Sequence, residues 1–340
     1  MNRTAVNALL AGTTLAFAMG AGAAVAADWQ PDRPINIIVP WAAGGSTDQV
    51  TRVVAPLLEA ALGTPIVIVN QPGASGSIGT GEALKAPRDG YTWTANAIAN
   101  NATYAISGML EDTSIDDYRI YLHVANVPVV SVNADSEYQD FATLLEDLKT
   151  KEITVGTAGA TSSGGMALSA INDAVEGGLA ARMVTYDGGA PAVLAAASGE
   201  VVVTTQLAVE QTEQIRAGMI RPLTVLSDTP LTVEGLDPVP PITDFIPDFP
   251  VAADYFGVFI PVGGPQEVYD TVDKIWAEKI MTSPELQAYA NAGGAVFAPS
   301  YGDEAYNRAM PVVIHEACAL KGRGEAVRDP ADFGIDCAAE

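Results

Sequence analysis

The sequence has 340 residues, of which 49% are hydrophobic, and its 41 acidic and 17 basic residues give a formal net charge of -24. Nucleic acid and anionic membrane surfaces repel a chain this acidic, so we expect neither as a partner. The length suffices for two ordinary domains with sizeable cores.

The first residues have the pattern of a secretory signal peptide. Arg3 supplies a weakly positive start, Ala5 to Met19 is mostly apolar, and Ala24-Val25-Ala26 fits a cleavage site. We predict that residues 1–26 are removed and that the mature chain begins near Ala27. The alternative is an uncleaved anchor, but the apolar stretch is short for a membrane span, and no later segment holds about 18 uninterrupted apolar residues.

Short apolar strands then alternate with helical stretches, which predicts an α/β fold of parallel sheets with helices on both faces. The first strand leads through Trp41-Ala42-Ala43-Gly44-Gly45-Ser46-Thr47-Asp48 into a helix that ends near Leu62. Glycines let the backbone turn tightly there, and the free N–H groups at such a helix start form a ready anion site. A second junction of this kind, Gly156 to Gly165, precedes a helix from about Met166 to Val175. The pair of junctions predicts a receptor for a small carboxylate.

The chain crosses between two predicted domains twice. Val127 to Val132 is extended and apolar, which indicates a crossover into a second domain, and Tyr255 to Pro261 is a strand that returns to the first. The prediction is a first domain of residues 27–126 plus 252–340 and a second domain of residues 127–251. The segments 266–281, 284–292 and 303–320 are predicted to form a helical C-terminal part.

Cys318 and Cys337 are the two cysteines of the chain. Export to an oxidising compartment favours a disulfide between them, which would fasten the last segment onto the preceding helix. Two free thiols are the alternative. A metal site is disfavoured because His315 is the one histidine nearby.

Five segments together resemble a known family. Pro40 to Asp48, Asn70 to Gly79, Asp89 to Thr92, Gly156 to Gly159 and Tyr186 to Pro191 are similar, in order and spacing, to loops of the solute-binding proteins of tripartite tricarboxylate transporters, the Bug-type receptors. The resemblance covers the mature chain to past its middle. It implies a type II periplasmic-binding-protein fold, with two α/β domains that close around a small organic anion. It also implies a periplasmic location, no cofactor, no catalysis, and transfer of the ligand to membrane permease subunits.

The resemblance also implies which residues bind the ligand. In the family, loop amides hold a carboxylate, and the matching positions here are Ala43, Gly44, Gly45, Ser46, Thr47 and Asp48 in the first loop and Thr157, Ala158, Gly159, Ala160, Thr161, Ser162 and Ser163 in the second. Arg52 lies one turn into the first helix and is predicted to be a solvated surface charge. Amides, hydroxyls and water are therefore expected to do most of the anion binding.

Four further residues have two interpretations each. Tyr186 either hydrogen-bonds the ligand or is a partly buried core tyrosine, and Trp41 either walls the pocket or packs the core. Gln206 and Asn96 are candidates for the distal end of the ligand, with a solvated loop amide as the alternative. Both lie where this chain departs from the family, which often has an Asp in place of the stretch Thr204-Thr205-Gln206.

Enzyme functions fit less well. The Gly-x-Ser-x-Gly elbow is absent, and Gly159 to Gly164 has Walker-like spacing without the required Lys-Ser/Thr. An exported Rossmann-like oxidoreductase is the main enzyme alternative, but Gly-x-Gly-x-x-Gly does not follow the first strand. A non-enzymatic alternative is a sensory protein that uses the same ligand to engage a membrane signalling partner.

Overall fold

The computed structural model describes residues 28–111, 113–251 and 253–338. The predicted signal peptide and its cleavage site lie outside these residues. The first part of the chain contains β1 (Ile35–Val39), α1 (Ser46–Leu62), β2 (Ile66–Asn70), α2 (Ser77–Lys85), β3 (Thr92–Ala97), α3 (Ile98–Thr103) and β4 (Tyr118–Asn126). The middle part contains β5 (Val129–Asn133), α4 (Phe141–Leu148), β6 (Ile153–Thr157), α5 (Ser163–Ala174), β7 (Ala181–Thr185), α6 (Gly189–Ser198), β8 (Val203–Thr204), α7 (Ala208–Arg216) and β9 (Ile220–Val225). The last part contains β10 (Asp254–Pro261), α8 (Gln266–Ile275), α9 (Pro284–Gly293), β11 (Val296–Tyr301) and α10 (Gly302–Gly322).

These strands form two sheets, so the predicted α/β fold with two sheets is confirmed. The first sheet has the order β11-β4-β10-β3-β1-β2 and the second has the order β7-β6-β8-β5-β9. We call the elements packed around the first sheet the first lobe and those around the second sheet the second lobe. The first lobe is built from both ends of the described chain, and the second lobe from its middle.

The prediction of parallel sheets is correct for some strand pairs of each sheet and wrong for the others. β1 pairs in parallel with β2 and β3, and β6 pairs in parallel with β7 and β8. However, β10 is antiparallel to both β3 and β4. In the second sheet β5 is antiparallel to β8 and β9. The reason is the double crossing: β4 carries the chain out of the first lobe and β10 carries it back, so these neighbours run in opposite directions.

The strand β11 was also missed, because the C-terminal part was predicted to be helical. Val296–Tyr301 pairs antiparallel with β4 at the edge of the first sheet. Its burial is mixed rather than apolar on one face, so it lacks the alternation that marks a half-buried strand.

Each lobe has its own core. β1 is buried at four of its five residues. It packs with α1 in a core that also contains the fully buried Trp93 and Trp276. A second cluster on the first lobe joins α3, α10 and the C-terminal tail. The second lobe packs α4 and α5 around Phe141 and Val155. No helix among the described residues is both long enough and apolar enough to cross a membrane.

The predicted disulfide is present. Cys318 in α10 is bonded to Cys337, with the Cα atoms 5.4 Å apart. The tail between them is also held by packing, since Ile335 is buried and the N–H groups of Val327 and Arg328 both donate to the carbonyl of Ile106.

Replacing both cysteines by serine is expected to lower the free energy of unfolding by about 3 kcal/mol, because the bond closes a loop of 19 residues in the unfolded chain. Chemical denaturation of the double variant measures the loss. Reduction of the natural chain should give the same value. An unchanged midpoint would mean that the packing of Ile335 alone fixes the tail.

Candidate functional site

A narrow cavity lies where the two lobes meet, between the glycine loops predicted from the sequence. The predicted residues that line it are Gly45, Ser46, Thr47, Ala158, Ser162, Ser163 and Gln206. Trp41 lines it as well, which favours the first of its two interpretations. Both loops therefore contribute to one space between the lobes.

The first loop delivers the start of α1 to this cavity. Gly45 is the N-cap residue, and no side chain of the loop caps the helix. Ser46 and Thr47 are each only 3% exposed. A buried helix start that lacks a cap of its own leaves amide donors and a positive dipole end facing the cavity.

The second loop delivers the start of α5, which is capped by its own residue. The Ser162 hydroxyl accepts from the Gly165 N–H at 3.1 Å and donates to the Gly159 carbonyl at 2.7 Å. The Ser163 hydroxyl donates at 2.6 Å to Asp254 of the first lobe. Burial raises the pKa of Asp254 to about 6, although hydrogen bonds from Ser163 and Ala99 act in the opposite direction.

A third helix start faces the same cavity, which the sequence did not lead us to expect. Gly189 begins α6, its N-cap residue Gly188 provides no side-chain cap, and Gly189 lines the cavity. The loop is joined to the first lobe by a hydrogen bond from the Ala42 N–H to the Asp187 carbonyl at 2.9 Å. Three helix starts thus converge from the two lobes.

The charged group that lines the cavity is acidic. Glu210 of α7 accepts from the Ser46 N–H at 2.8 Å through Oε1 and from the Leu207 N–H at 3.2 Å through Oε2. The Gln206 side chain lies between Glu210 and Ala158. In the amide orientation that satisfies both neighbours, its nitrogen donates to Glu210 Oε2 at 3.1 Å and its oxygen accepts from the Ala158 N–H at 3.0 Å. Burial raises the pKa of Glu210 to about 6, and the hydrogen bonds from Ser46 and Leu207 act against this.

Asp48 turns away from the cavity and organises the first loop. Its carboxylate accepts from the Gly44 N–H at 2.9 Å, from Arg52 at 2.8 and 2.9 Å, and from the Asn70 amide at 2.9 Å. Arg52 is half exposed, as predicted, but it is paired with Asp48 rather than merely solvated. Ala43 and Gly44 are exposed beside the cavity rather than part of its wall.

In the second loop, Thr157, Gly159, Ala160 and Thr161 also lie outside the cavity wall. The Thr157 hydroxyl accepts from the Gly159 N–H at 3.2 Å, Ala160 is exposed, and the Thr161 carbonyl accepts from the Asn100 amide of the first lobe. These residues shape the loop and bring the lobes together.

Asn96 and Tyr186 are directed elsewhere. Asn96 is fully buried behind Trp41, where its Oδ1 accepts from the indole N–H at 3.0 Å and its amide donates to Tyr104 at 3.1 Å. The Tyr186 hydroxyl donates to Glu200 at 2.9 Å near the surface. Asn96 therefore positions the indole that walls the cavity, and Tyr186 sits outside it.

Sequence reasoning missed five residues of the cavity wall: Asn100, Gly189, Leu207, Glu210 and Phe256. For Glu210 a signal existed. It lies in the first turn of the helix predicted from Ala208, four residues after the candidate Gln206.

The fold and the converging helix starts are typical of a solute-binding protein. Residues 50–308 match the tripartite tricarboxylate transporter family receptor, so the chain belongs to this family, which is one of receptors rather than of enzymes. It is 31% identical to protein BugT of Bordetella pertussis over 298 residues, covering 86% of this chain and 90% of that protein.

Solved structures with the same fold include one with adipate and one with bound malate. The R. palustris protein Rpa4515 with adipate has a TM-score of 0.78 and 24% identity, over 88% of this chain and 99% of that one. MatC (Rpa3494) from Rhodopseudomonas palustris with bound malate has a TM-score of 0.75 and 20% identity, over 85% of this chain and 99% of that one.

Proposed function

We propose that this protein binds a small organic carboxylate in the cavity between its lobes and passes it to the membrane permease subunits of a tripartite tricarboxylate transporter. The observation that carries the proposal is the convergence of the helix starts of α1, α5 and α6 on one cavity. Amide donors and helix dipoles favour an anion there. The relatives with adipate and malate support the choice of a carboxylate.

The binding residues that we propose are the ones that line the cavity from both loops. Ser46 and Thr47 line it at the start of α1, while Ala158 and Ser163 line it from the second loop. Since the wall draws on both lobes, ligand binding and closure of the lobes are coupled.

We also propose the domain division and the location predicted from the sequence. The strands of the first sheet lie within residues 27–126 and 252–340, and those of the second within residues 127–251, which supports these boundaries. Mass spectrometry of the protein from a periplasmic fraction tests export. A chain beginning near Ala27 is expected, and a chain that keeps residues 1–26 would contradict cleavage.

A thermal-shift screen of the mature protein tests the carboxylate proposal. The panel holds mono-, di- and tricarboxylates, aromatic acids and amino acids, with adipate and malate included. An acid present at about 100 times its Kd is expected to stabilise the fold by roughly 2.7 kcal/mol, which gives a clear shift. A panel with no carboxylate that stabilises the chain would contradict the proposal.

The transport part has a separate test. Uptake of the acid found in the screen is measured in cells that hold the receptor gene and a pair of permease genes, and in cells without the receptor gene. Uptake is expected to depend on the receptor. Uptake that does not change without it would favour the sensory alternative.

A further inference from the structure

Glu210 connects the two lobes at the predicted anion site. Its helix, α7, belongs to the second lobe, yet its Oε1 accepts from the N–H of Ser46, the first residue of α1 in the first lobe. The hydrogen bond from the Leu207 N–H to Glu210 Oε2 is local, and it is the bond that the third helix residue makes to the N-cap amide in a capping box. Capping of α7 does not explain the contact with Ser46, because Ser46 is 164 residues away.

The carboxylate occupies a position shaped for an anion. The start of α1 has no side-chain cap of its own, whereas α5 is capped by Ser162. On the other side lies Gly189 at the uncapped start of α6, where any side chain would overlap the Glu210 carboxyl group. A carboxylate of the protein itself therefore lies between two uncapped helix starts.

We propose that Glu210 is a specificity-determining residue: it accepts the hydrogen bond of the Ser46 amide, and a ligand carboxylate binds by replacing it. The proposal rests on the proposed function, since it concerns the same cavity. Two ionised carboxylates at hydrogen-bond range of one amide repel each other. Binding therefore requires the Glu210 side chain to withdraw or to take up a proton.

Among the described residues, the cations on α7 and on the neighbouring β9 bond elsewhere: Arg216 pairs with Glu213, and Arg221 donates to the carbonyls of Ala134 and Tyr138. On α1, Asp48 and Arg52 pair with each other. On α9, the buried hydroxyl of Tyr289 has its pKa raised by burial and by the nearby Glu210. Asp187, just before α6, is exposed and acidic. Lowering the pH is thus the simple way to neutralise Glu210.

The sign of the pH dependence follows from the raised pKa of Glu210, about 6. Above this value the carboxylate is ionised and competes with the ligand, and below it the acid is neutral while the ligand carboxylate remains charged. If only the neutral form admits the ligand, affinity falls about tenfold per pH unit well above pH 6, or about 25-fold between pH 5.5 and pH 7.5.

The test compares the natural chain with E210Q, which removes the charge, and E210A, which removes the group. E213Q is the matched control, because Glu213 lies on the same helix in an exposed pair with Arg216. Calorimetric titrations with malate, adipate and aspartate are run at pH 5.5 and pH 7.5. Malate and aspartate differ only in a hydroxyl and an ammonium group.

At pH 7.5 we expect E210A and E210Q to bind malate and adipate at least tenfold more tightly than the natural chain and E213Q do. The pH dependence should disappear in both Glu210 variants. Equal affinities in all four proteins would overturn the inference and leave the proposed function intact. Weaker binding of aspartate alone in the Glu210 variants would overturn it too, because Glu210 would then pair with a ligand ammonium. If none of the four binds any acid, the inference and the proposed function fail together.

Discussion

Replacing Gly45 by leucine is expected to lower the affinity for the bound acid more than 100-fold, a change of about 2.8 kcal/mol. The backbone at Gly45 is extended, with φ at -71°, so its conformation is one that a larger residue adopts. A Cβ there would lie 3.3 Å from Glu210 Oε1 and 3.8 Å from the Gly189 amide nitrogen. The remainder of a leucine side chain would then fill the space where the helix starts converge.

Isothermal titration with the acid found in the screen measures this loss. Gly322→Leu is the matched control, because a Cβ at Gly322 meets no atom within 4 Å. Both variants should unfold at nearly the same temperature, and only Gly45→Leu should lose binding. Full affinity in Gly45→Leu would show that the first loop is not part of the ligand-binding site.

Replacing Gly159 by leucine is expected to affect both stability and ligand binding. Gly159 has φ at +118°, where a side chain is strained, and a Cβ there would overlap Ser75 of the first lobe. Gly177→Leu carries a similar strain, at φ +85°, with no atom nearby. Each is expected to lose stability of about 1–3 kcal/mol from strain, but only Gly159→Leu should also lose binding.

Replacing Asp48 by alanine is expected to lower the free energy of unfolding by about 3 kcal/mol, because it removes a buried carboxylate together with its hydrogen bonds to Gly44, Arg52 and Asn70. The side chain is only 3% exposed. Burial alone would raise the pKa of Asp48, but hydrogen bonds from Arg52, Gly44 and Asn70 outweigh it and hold the pKa below its ordinary value. Its stabilising effect is therefore present above about pH 4 and is lost as the pH falls through the lowered pKa.

Urea denaturation at pH 7 and pH 3 measures this contribution. Asp48→Asn, which keeps the size and loses the charge, is expected to lose about half as much stability. Asp140→Ala is the control, since Asp140 is an N-cap of α4 whose loss costs about 1 kcal/mol. A loss from Asp48→Ala no larger than that of the control would show that Asp48 does not organise the loop.

The sequence by itself determined the two lobes and the glycine loops, because these depend on local pattern. β-branched runs such as Ile35–Val39 form buried strands. Glycines followed by Ser46 or Ser162 mark the starts of α1 and α5. The disulfide followed from the number of cysteines and the predicted compartment.

Only the tertiary structure decided which side chains face the cavity. Asp48 and Asn96 were candidates for ligand binding, but Asn70 and Trp41, which lie 22 and 55 residues from them in the sequence, hydrogen-bond to them and hold them away from the cavity. Glu210 reaches Ser46 across 164 residues of sequence, a contact that no local pattern contains. The tertiary structure also decided whether neighbouring strands run parallel or antiparallel. β4 and β10 are antiparallel because the chain leaves the first lobe through β4 and returns to it through β10.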